Sequence, residues 1–157
     1  LSCPMGASTI LFMQFTINNY RYLLEAKDII EIVPFANLKQ IPKATPYLAG
    51  LLNYRGDTVP VIDICYLMSD KLCELKLSSR IALVDYKNDI GESACIGLLI
   101  EHLTETVRFN ESDFSDSGVN LKDSPYLGKV VIDNNCIVQL VNIRKIIPEE
   151  AYEVLFK

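Results

Sequence analysis

The chain has 157 residues, half of them hydrophobic and 22% charged, and its formal net charge is −5. This composition is typical of one globular domain and excludes a disordered or collagen-like chain. The acidic balance argues against nucleic acid as a partner, because phosphate binding needs clustered Lys and Arg. The sequence has no apolar run long enough to span a bilayer and no basic amphipathic stretch for a membrane surface, so direct membrane insertion is not expected.

The N-terminal third is predicted to contain two strands and two short helices. Alternation of apolar and polar residues predicts a strand at residues 10–17. A second strand is predicted at residues 20–24, directly after an Asn-Asn turn. Residues 26–33 carry apolar side chains at near-helical spacing, which predicts a helix that ends before Pro34. A second helix is predicted at residues 46–50, because a proline suits its first position and a glycine its end.

The middle of the chain has the pattern of a hairpin. Residues 51–54 and 58–64 are predicted strands, and residues 55–57 form the turn between them, where Gly56 can adopt a positive φ. Pro60 lies within the second strand and predicts an edge or bulge position, because proline cannot donate a ladder hydrogen bond.

The later segments continue the pattern of short strands and turns. In chain order they are a polar connector at residues 69–79, a hairpin of residues 80–86 and 94–100, a strand at residues 102–107, a long loop at residues 110–124, a hairpin of residues 129–132 and 137–141, and a C-terminal helix at residues 148–157. Two glutamates in the first turn of that helix suit the helix dipole. Short strands with turn signals about every ten residues predict a small β-barrel or sandwich.

No pattern of residues in the sequence indicates a catalytic site. His102 is the only histidine, so the chain cannot build a multi-histidine metal centre, and it has no glycine-rich phosphate-binding loop. The closely spaced carboxylates are better explained as solvated or helix-terminal charges than as an acid/base pair. We therefore expect no catalytic residue, no metal and no cofactor, which leaves a binding module.

The five cysteines predict free thiols. Their number is odd, their spacings are wide and no Cys-x-x-Cys pair occurs, so neither a disulfide framework nor a zinc site is expected. Cys65, Cys95 and Cys136 lie in apolar stretches and are expected to pack as small hydrophobic side chains, whereas Cys73 has a polar setting and is expected to be exposed. Reduced cysteines are typical of the reducing cytosol.

The predicted hairpin at residues 51–64 carries the most specific pattern in the chain. Asn53 and Asp63 can hydrogen-bond to turn backbone, and Arg55 offers a planar fork of donors for a carboxylate. The runs Asn53-Tyr54-Arg55-Gly56 and Val59-Pro60-Val61-Ile62-Asp63 resemble the signature of the CheW family, the adaptor proteins of bacterial chemosensory arrays. Further segments before and after the signature resemble the remaining strands of that family.

This resemblance implies a mainly β fold of two packed five-stranded barrels of the Src-homology-3-like type, with a few short helices and the C-terminal helix. Residues 1–9 are expected to be a disordered or added N-terminus, and residues 10–157 the CheW-like domain. Residues 20–77 would build one barrel, and residues 10–17 together with residues 80–147 would build the other.

The function that the resemblance implies is scaffolding without catalysis. The chain would couple the cytoplasmic tip of a methyl-accepting chemoreceptor to the regulatory domain of a CheA-type histidine kinase, in the cytoplasm and recruited to membrane-associated receptor arrays. One alternative is a CheW-like regulatory domain cut from a larger kinase or from a CheW–receiver fusion. Another is a small-ligand-binding barrel or an enzyme with a cleft between the barrels. The adaptors of Wsp-type pathways, which sense surfaces and feed cyclic-di-GMP signalling, are also similar to this chain at residues 47–56, 77–81, 101–106, 117–119 and 124–128.

The candidate site divides into partner-binding residues and residues of the structural signature. The partner-binding candidates are Ile29, Ile32, Gly50, Tyr54 and Arg55. The signature candidates are Glu31, Asn53, Gly56, Pro60 and Asp63.

Each partner-binding candidate has an expected position. Ile29 and Ile32 would line a groove between the barrels that takes a helical receptor tip, although the same spacing also fits core residues. Gly50 is expected at a corner that admits no side chain. Arg55 is expected to form a bidentate pair with Glu31, which would fix the signature turn against the first short helix.

Overall fold

Ten strands in two five-stranded sheets dominate the structure, a computed structural model that describes residues 9–87, 91–118 and 124–147. The strands are β1 (Thr9–Ile17), β2 (Tyr20–Glu25), β3 (Ile29–Pro34), β4 (Leu48–Tyr54), β5 (Asp57–Asp63), β6 (Arg80–Lys87), β7 (Ser93–Ile100), β8 (His102–Asn110), β9 (Leu127–Asp133) and β10 (Cys136–Val141). Helical structure within the described residues consists of α1 (Ile64–Ser69) and three short 3₁₀ helices, Ala26–Asp28, Glu111–Asp113 and Ile143–Lys145. The predicted mainly β fold with two five-stranded sheets is confirmed.

The first sheet has the strand order β8-β1-β2-β10-β9 and draws on both ends of the chain. β1 and β2 form an antiparallel hairpin, whereas β10 pairs with β2 in parallel. A backbone bridge between Ser115 and Val130 ties the segment after β8 to β9, so the two edges of the sheet approach each other as a first barrel. Burial of apolar surface inside this barrel stabilises it. The buried residues there are Phe12, Leu23, Val131 and Val138.

The second sheet has the strand order β3-β6-β7-β5-β4 and uses the contiguous middle of the chain as a second barrel. The predicted edge or bulge position of Pro60 is wrong, because β5 is an inner strand between β4 and β7. Pro60 pairs with Leu51 of β4, and the parallel pairing with β7 begins one residue later, at Val61. Proline is tolerated here because the pairing with β7 does not include its position.

The larger hydrophobic core runs from the second barrel into the first. Phe15 of the first barrel and Leu98 of the second belong to it, and both are fully buried. The Tyr126 hydroxyl adds a polar link, since it donates a hydrogen bond of 3.3 Å to the Leu67 carbonyl of α1. The two barrels therefore share one core and do not pack as independent units.

The assignment of segments to the barrels differs from the expected division at residues 20–77. β2 belongs to the first barrel, because the Asn18-Asn19 turn, with φ of 52° and 67°, folds it directly onto β1. β6 and β7 belong to the second barrel, because β6 pairs with β3 and β7 pairs with β5. The chain enters the second barrel after β2 and returns to the first at Glu101, between β7 and β8.

Both helices predicted in the N-terminal third are mostly extended. Of residues 26–33, only Ala26–Asp28 forms a 3₁₀ helix, and the rest belongs to β3. The isoleucines imitate helical spacing because a register shift between Ile29 and Glu31 places an extra residue in the strand. Residues 46–50 form a turn and then the start of β4.

α1 is a helix that the apolar pattern does not indicate, since its residues continue the hydrophobic run of β5. It begins because the Asp63 side chain accepts a hydrogen bond of 3.0 Å from the Tyr66 amide, which caps the first turn. It ends at Asp70, which adopts the left-handed conformation with φ of 60°.

Three predictions fall partly or wholly outside the described residues. The predicted C-terminal helix lies outside them entirely. Of the expected disordered N-terminus, Thr9 is described and is an ordered part of β1, paired with Asn110. The described part of the predicted loop at residues 110–124 contains the 3₁₀ helix Glu111–Asp113 and the bridge at Ser115.

Candidate partner-binding site

The hairpin of β4 and β5 turns at Arg55-Gly56, where both residues have positive φ, 53° and 88°. Positive φ at both central residues is typical of a type I′ turn, which matches the twist of the flanking strands. The Asn53 side chain accepts a hydrogen bond of 3.1 Å from the Gly56 amide, so Asn53 bonds the turn backbone as expected. Gly56 adopts this conformation without steric cost, whereas the turn imposes an unfavourable conformation on Arg55.

Glu31 of β3 accepts hydrogen bonds from the two residues that follow Asn53. Tyr54 Oη donates to Glu31 Oε1 at 2.5 Å, and Arg55 Nη2 donates to the same oxygen at 3.2 Å. The expected bidentate pair is therefore wrong, because one guanidinium nitrogen meets one carboxylate oxygen. The partner also lies on a strand and not on a helix, so the turn is held against the edge strand β3.

The Arg55 side chain is 74% exposed, and its guanidinium carbon lies 5.0 Å from the centroid of the Tyr54 ring. An exposed ion pair of this kind contributes little to stability. Most of the guanidinium remains open to a partner's carboxylate, while the ring holds it in place through a cation–π contact. The hydrogen bond to Glu31 raises the pKa of Tyr54 above its ordinary value.

Ile29 and Ile32 are half-buried and pack against the larger core. The core interpretation of these residues is confirmed in part, since each side chain packs inward and keeps some exposure, whereas the groove interpretation stays a prediction. The side chain that faces solvent is Ile30, which is 53% exposed. Sequence reasoning missed it because the register shift after Ile29, which orients it, has no signal in the residue pattern.

Gly50 is buried, and its environment excludes a side chain. A Cβ atom at this position would lie 2.8 Å from Leu38 Cβ and 2.8 Å from the Lys39 carbonyl oxygen. Its φ of +151° is also a conformation that L side chains rarely adopt. The expectation that no side chain fits is confirmed, but the segment that covers Gly50 is its own chain, so this residue is not open to a partner.

Asp63 is buried and organises the chain after β5. Its Oδ1 accepts from the Tyr66 amide and its Oδ2 accepts from the Cys73 amide, each at 3.0 Å. Burial raises the pKa of the Asp63 carboxyl, and the backbone hydrogen bonds oppose that rise. The carboxylate therefore bonds backbone as predicted, although at a helix start and not at the hairpin turn.

Cys65 and Cys73 form a disulfide, so the prediction that the cysteines are reduced is wrong for this pair. α1 and the turn after it bring the two Cα atoms to 5.2 Å of each other, although eight positions separate them in the chain. A spacing of eight positions is not a sequence signal for a disulfide. Cys73 is buried and not exposed as predicted. Cys136 is exposed and Cys95 is half-buried, so the predicted packing fails for Cys136.

Among the described residues, Asp63, Cys65 and Cys73 are the group whose ligand atoms lie close enough to hold a metal ion, all within 4.8 Å of one another. In the disulfide the two sulfurs are bonded to each other and do not offer thiolate ligands. This cluster was not predicted, because its members converge only through the cap and the turn of α1.

Large apolar side chains are also exposed away from the signature hairpin. They are Tyr20, Ile132 and Ile137 on the first barrel, and Leu72, Leu75 and Leu77 in the segment after α1. Ile132 and Ile137 stand directly opposite each other on β9 and β10. Strand alternation could have found this pair, since both neighbour the buried Val131 and Val138. Across the described ranges, no helix combines the length and the apolar character needed to cross a membrane.

The CheW-like domain family model matches residues 11–151 of the chain. The chain is similar to the chemotaxis protein CheW of Bacillus subtilis (strain 168), with 22% identity over 148 residues that cover 93% of this chain and 90% of that protein. It is also similar to the chemotaxis protein CheW of Helicobacter pylori, with 24% identity over 143 residues, or 88% of this chain and 82% of that protein.

A solved structure has the same fold. The scaffolding protein TtCheW from Thermoanaerobacter tengcongensis superposes with a TM-score of 0.77 over 94% of each chain, at 17% identity. At this identity the likeness shows the fold alone, and it supports the predicted pair of packed Src-homology-3-like barrels. The family match confirms the resemblance inferred from the signature hairpin.

Proposed function

Because the chain belongs to the CheW-like domain family, we propose that it couples the cytoplasmic tip of a methyl-accepting chemoreceptor to the regulatory domain of a CheA-type histidine kinase. The family match over residues 11–151, which spans both barrels and the signature hairpin, is the observation that carries this proposal. Members of the family are non-catalytic scaffolds, so the chain is an adaptor and not an enzyme.

The proposed receptor-binding surface lies where the edge strands β3 and β4 meet, and we call it the seam surface. Its members are Ile30, Glu31, Tyr54 and Arg55, flanked by the half-buried Ile29 and Ile32. It presents an exposed isoleucine, one residue before Glu31, together with the aromatic ring and open guanidinium that Glu31 bonds. Such a set suits a helix that offers an apolar stripe with a carboxylate at its border.

The proposal assigns separate tasks to the residues of the signature. Asn53 and Gly56 build the turn that presents Arg55, and Glu31 anchors the ring beside it. Gly50 permits the close passage of the segment at Lys39, which forms an antiparallel bridge with Leu51 of β4, so its contribution to binding is indirect.

The test measures binding of the full chain to two purified fragments, a receptor cytoplasmic tip and a kinase regulatory domain, by isothermal titration. We expect Ile30→Asp to weaken receptor binding by on the order of tenfold or more, as loss of a central apolar contact does. The matched control is Ile137→Asp, the same change at an isoleucine that is 65% exposed on the other barrel. Circular dichroism should show native folding of both variants.

Binding of both fragments by the parent chain would support the adaptor function. Loss of receptor binding in Ile30→Asp, with receptor binding kept in Ile137→Asp, would support the seam surface. Receptor binding that falls equally in both variants would refute the seam surface and leave the adaptor function standing. If neither fragment binds the parent chain, the adaptor function is refuted. A thermal shift with metabolites in that case would favour a ligand-binding barrel.

We further propose that the chain works in the cytoplasm, recruited to membrane-associated arrays through the receptor, and that its pathway is of the Wsp type. The support for the pathway is the sequence likeness at residues 47–56 and 101–106. A fluorescent fusion should localise with receptor clusters, and Ile30→Asp should disperse it. Deletion of the gene should change cellular cyclic-di-GMP and leave swimming intact; the opposite pattern would assign the chain to flagellar steering.

A further inference from the structure

The segment after α1, residues 70–79, crosses the junction between the two barrels, and we call it the junction loop. The Glu74 amide donates a hydrogen bond of 2.6 Å to Glu101 Oε1, and the Ser78 hydroxyl donates one of 3.3 Å to the Glu101 carbonyl. Glu101 is the residue at which the chain returns from the second barrel to the first. The position of the junction loop is thus tied to the point where the barrels connect.

The junction loop has one buried residue between Asp70 and Ser78, and that residue is Cys73. Its other members over that stretch are exposed, including the three apolar side chains Leu72, Leu75 and Leu77. Leucines in such positions gain nothing from the core. Their placement depends on what holds Cys73.

Two links hold Cys73 in place. Its amide donates to the buried carboxylate of Asp63, and its sulfur is bonded to Cys65 in the first turn of α1. The Cα separation of 5.2 Å lies within the usual range for a disulfide, so the bridge needs no movement of the backbone. The disulfide closes a short ring that contains α1 from its second residue, Cys65, onward.

We propose that Cys65 and Cys73 are a reversible redox site whose disulfide holds the junction loop, with its exposed leucines, against the junction of the barrels. In the reduction step, a thiolate of a dithiol reductant attacks the sulfur of Cys73. The Cys65–Cys73 bond breaks, Cys65 leaves as a thiolate that takes up a proton, and a mixed disulfide forms between Cys73 and the reductant. The second thiol of the reductant then releases Cys73, which leaves two cysteine thiols and an oxidised reductant. Two electrons and two protons pass to the protein, and a small disulfide such as oxidised glutathione reverses the step.

The geometry makes Cys73 the point of attack. Its neighbours Leu72 and Glu74 are exposed, so a local opening of the junction loop uncovers the sulfur, whereas Cys65 is fixed inside a capped helix. The same opening releases the leucines. The redox state of one bond therefore sets how an apolar surface is presented at the junction, independently of the seam surface.

The first experiment establishes the bond and its reversibility on the full chain. Iodoacetamide labelling, denaturation and tryptic mapping of the unreduced protein should give residues 56–71 linked to residues 72–76, because trypsin cuts after Arg55, Lys71 and Lys76. Native treatment with dithiothreitol should give the two peptides separately labelled, and oxidised glutathione should restore the link. A bond that resists dithiothreitol in the folded protein, or thiols that never pair, would overturn the proposal.

The second experiment follows the junction loop. Native tryptic cleavage after Lys71 and Lys76 should speed up by roughly tenfold or more on reduction, because the short ring no longer restrains the loop. Cys73→Ala should be cut at the fast rate in both redox conditions, and Cys95→Ala should respond like the parent. Equal cleavage of oxidised and reduced parent protein would refute the link between bond and loop, even if the variants fail to fold.

One further outcome would replace the redox site by a metal site. Reduced protein is incubated with zinc chloride, desalted and assayed for bound metal. One retained zinc per chain, absent in Cys65→Ala, would show that Asp63, Cys65 and Cys73 act as ligands and would overturn the redox proposal. Absence of retained zinc supports it.

Discussion

Tyr54 and Glu31 are joined by a hydrogen bond of 2.5 Å although they lie on the two opposite edge strands of the second sheet. Three strands separate β3 from β4 in the sheet order, so the sheet must curl until its edges meet. The bond therefore spans the open seam of the second barrel. The signature residues beside it close the fold at the place where a partner is proposed to bind.

Loss of the seam bond should alter how stability responds to alkaline pH. The hydrogen bond to Glu31 raises the pKa of Tyr54 above 10.0, so the protonated phenol stabilises the folded state below pH 10.0 and this contribution disappears as the pH rises through the raised value. Tyr54→Phe should be less stable than the parent at neutral pH and should converge with it at alkaline pH. Urea unfolding across the pH range measures this, with Tyr20→Phe as a control at an exposed tyrosine.

Gly50→Ala should be strongly destabilising. The added methyl meets backbone and side chain at 2.8 Å, so we expect a loss of about 3 kcal/mol or more. Gly56→Ala is the matched control, because its φ is also positive but nothing lies within 4 Å of the added Cβ. It should cost about 1 kcal/mol from backbone strain alone. Similar melting temperatures for the two variants would contradict the close passage at Lys39.

Asp63→Asn should cost about 2 kcal/mol in the free energy of unfolding. The amide can still cap α1, but it cannot accept from the Cys73 amide, which is left buried without an acceptor. Asp63→Ala should cost about 1 kcal/mol more, through loss of the helix cap. Asp57→Asn, at an exposed aspartate of the same strand, should have almost no effect. Equal losses in Asp57→Asn and Asp63→Asn would contradict this assignment.

Arg21→Ala should destabilise the first barrel. Arg21 donates through Nε and Nη2 to the buried Gln14 and contacts Asp133 at 2.7 Å. Its side chain is 23% exposed, so with allowance for solvent screening we expect about 1–2 kcal/mol. Arg108→Ala, at an exposed arginine, should leave the denaturation midpoint unchanged.

The strands were predictable because alternation and turn residues are local signals. The hairpin at Arg55-Gly56 and the Asn53 bond to it follow from residue types alone. The family resemblance supplied the two-barrel fold, which periodicity by itself left as a barrel or sandwich. What failed depends on position in space and not on residue type.

The bulge in β3 is one such case, since it makes a strand imitate a helix and turns Ile30 outward. α1 is another, because a single capping carboxylate at Asp63 converts the end of an apolar run into a helix. The Cys65–Cys73 bond depends on that helix in turn. Because the cap at Asp63 was not predicted, the proximity of Asp63, Cys65 and Cys73 could not be predicted either. Gly50 was placed correctly as a position without room, but its covering segment was not.

The strands of the second barrel lie between the strands of the first barrel along the chain, and this arrangement predicts which barrel folds first. β1 and β8 pair residues as distant as Thr9 and Asn110, 101 positions apart, and the second barrel lies between them in the chain. Closing so long a loop is entropically costly unless the intervening chain is already compact. The second barrel should thus form in the transition state, so Leu83→Ala should slow folding, whereas Val138→Ala in the first barrel should mainly accelerate unfolding.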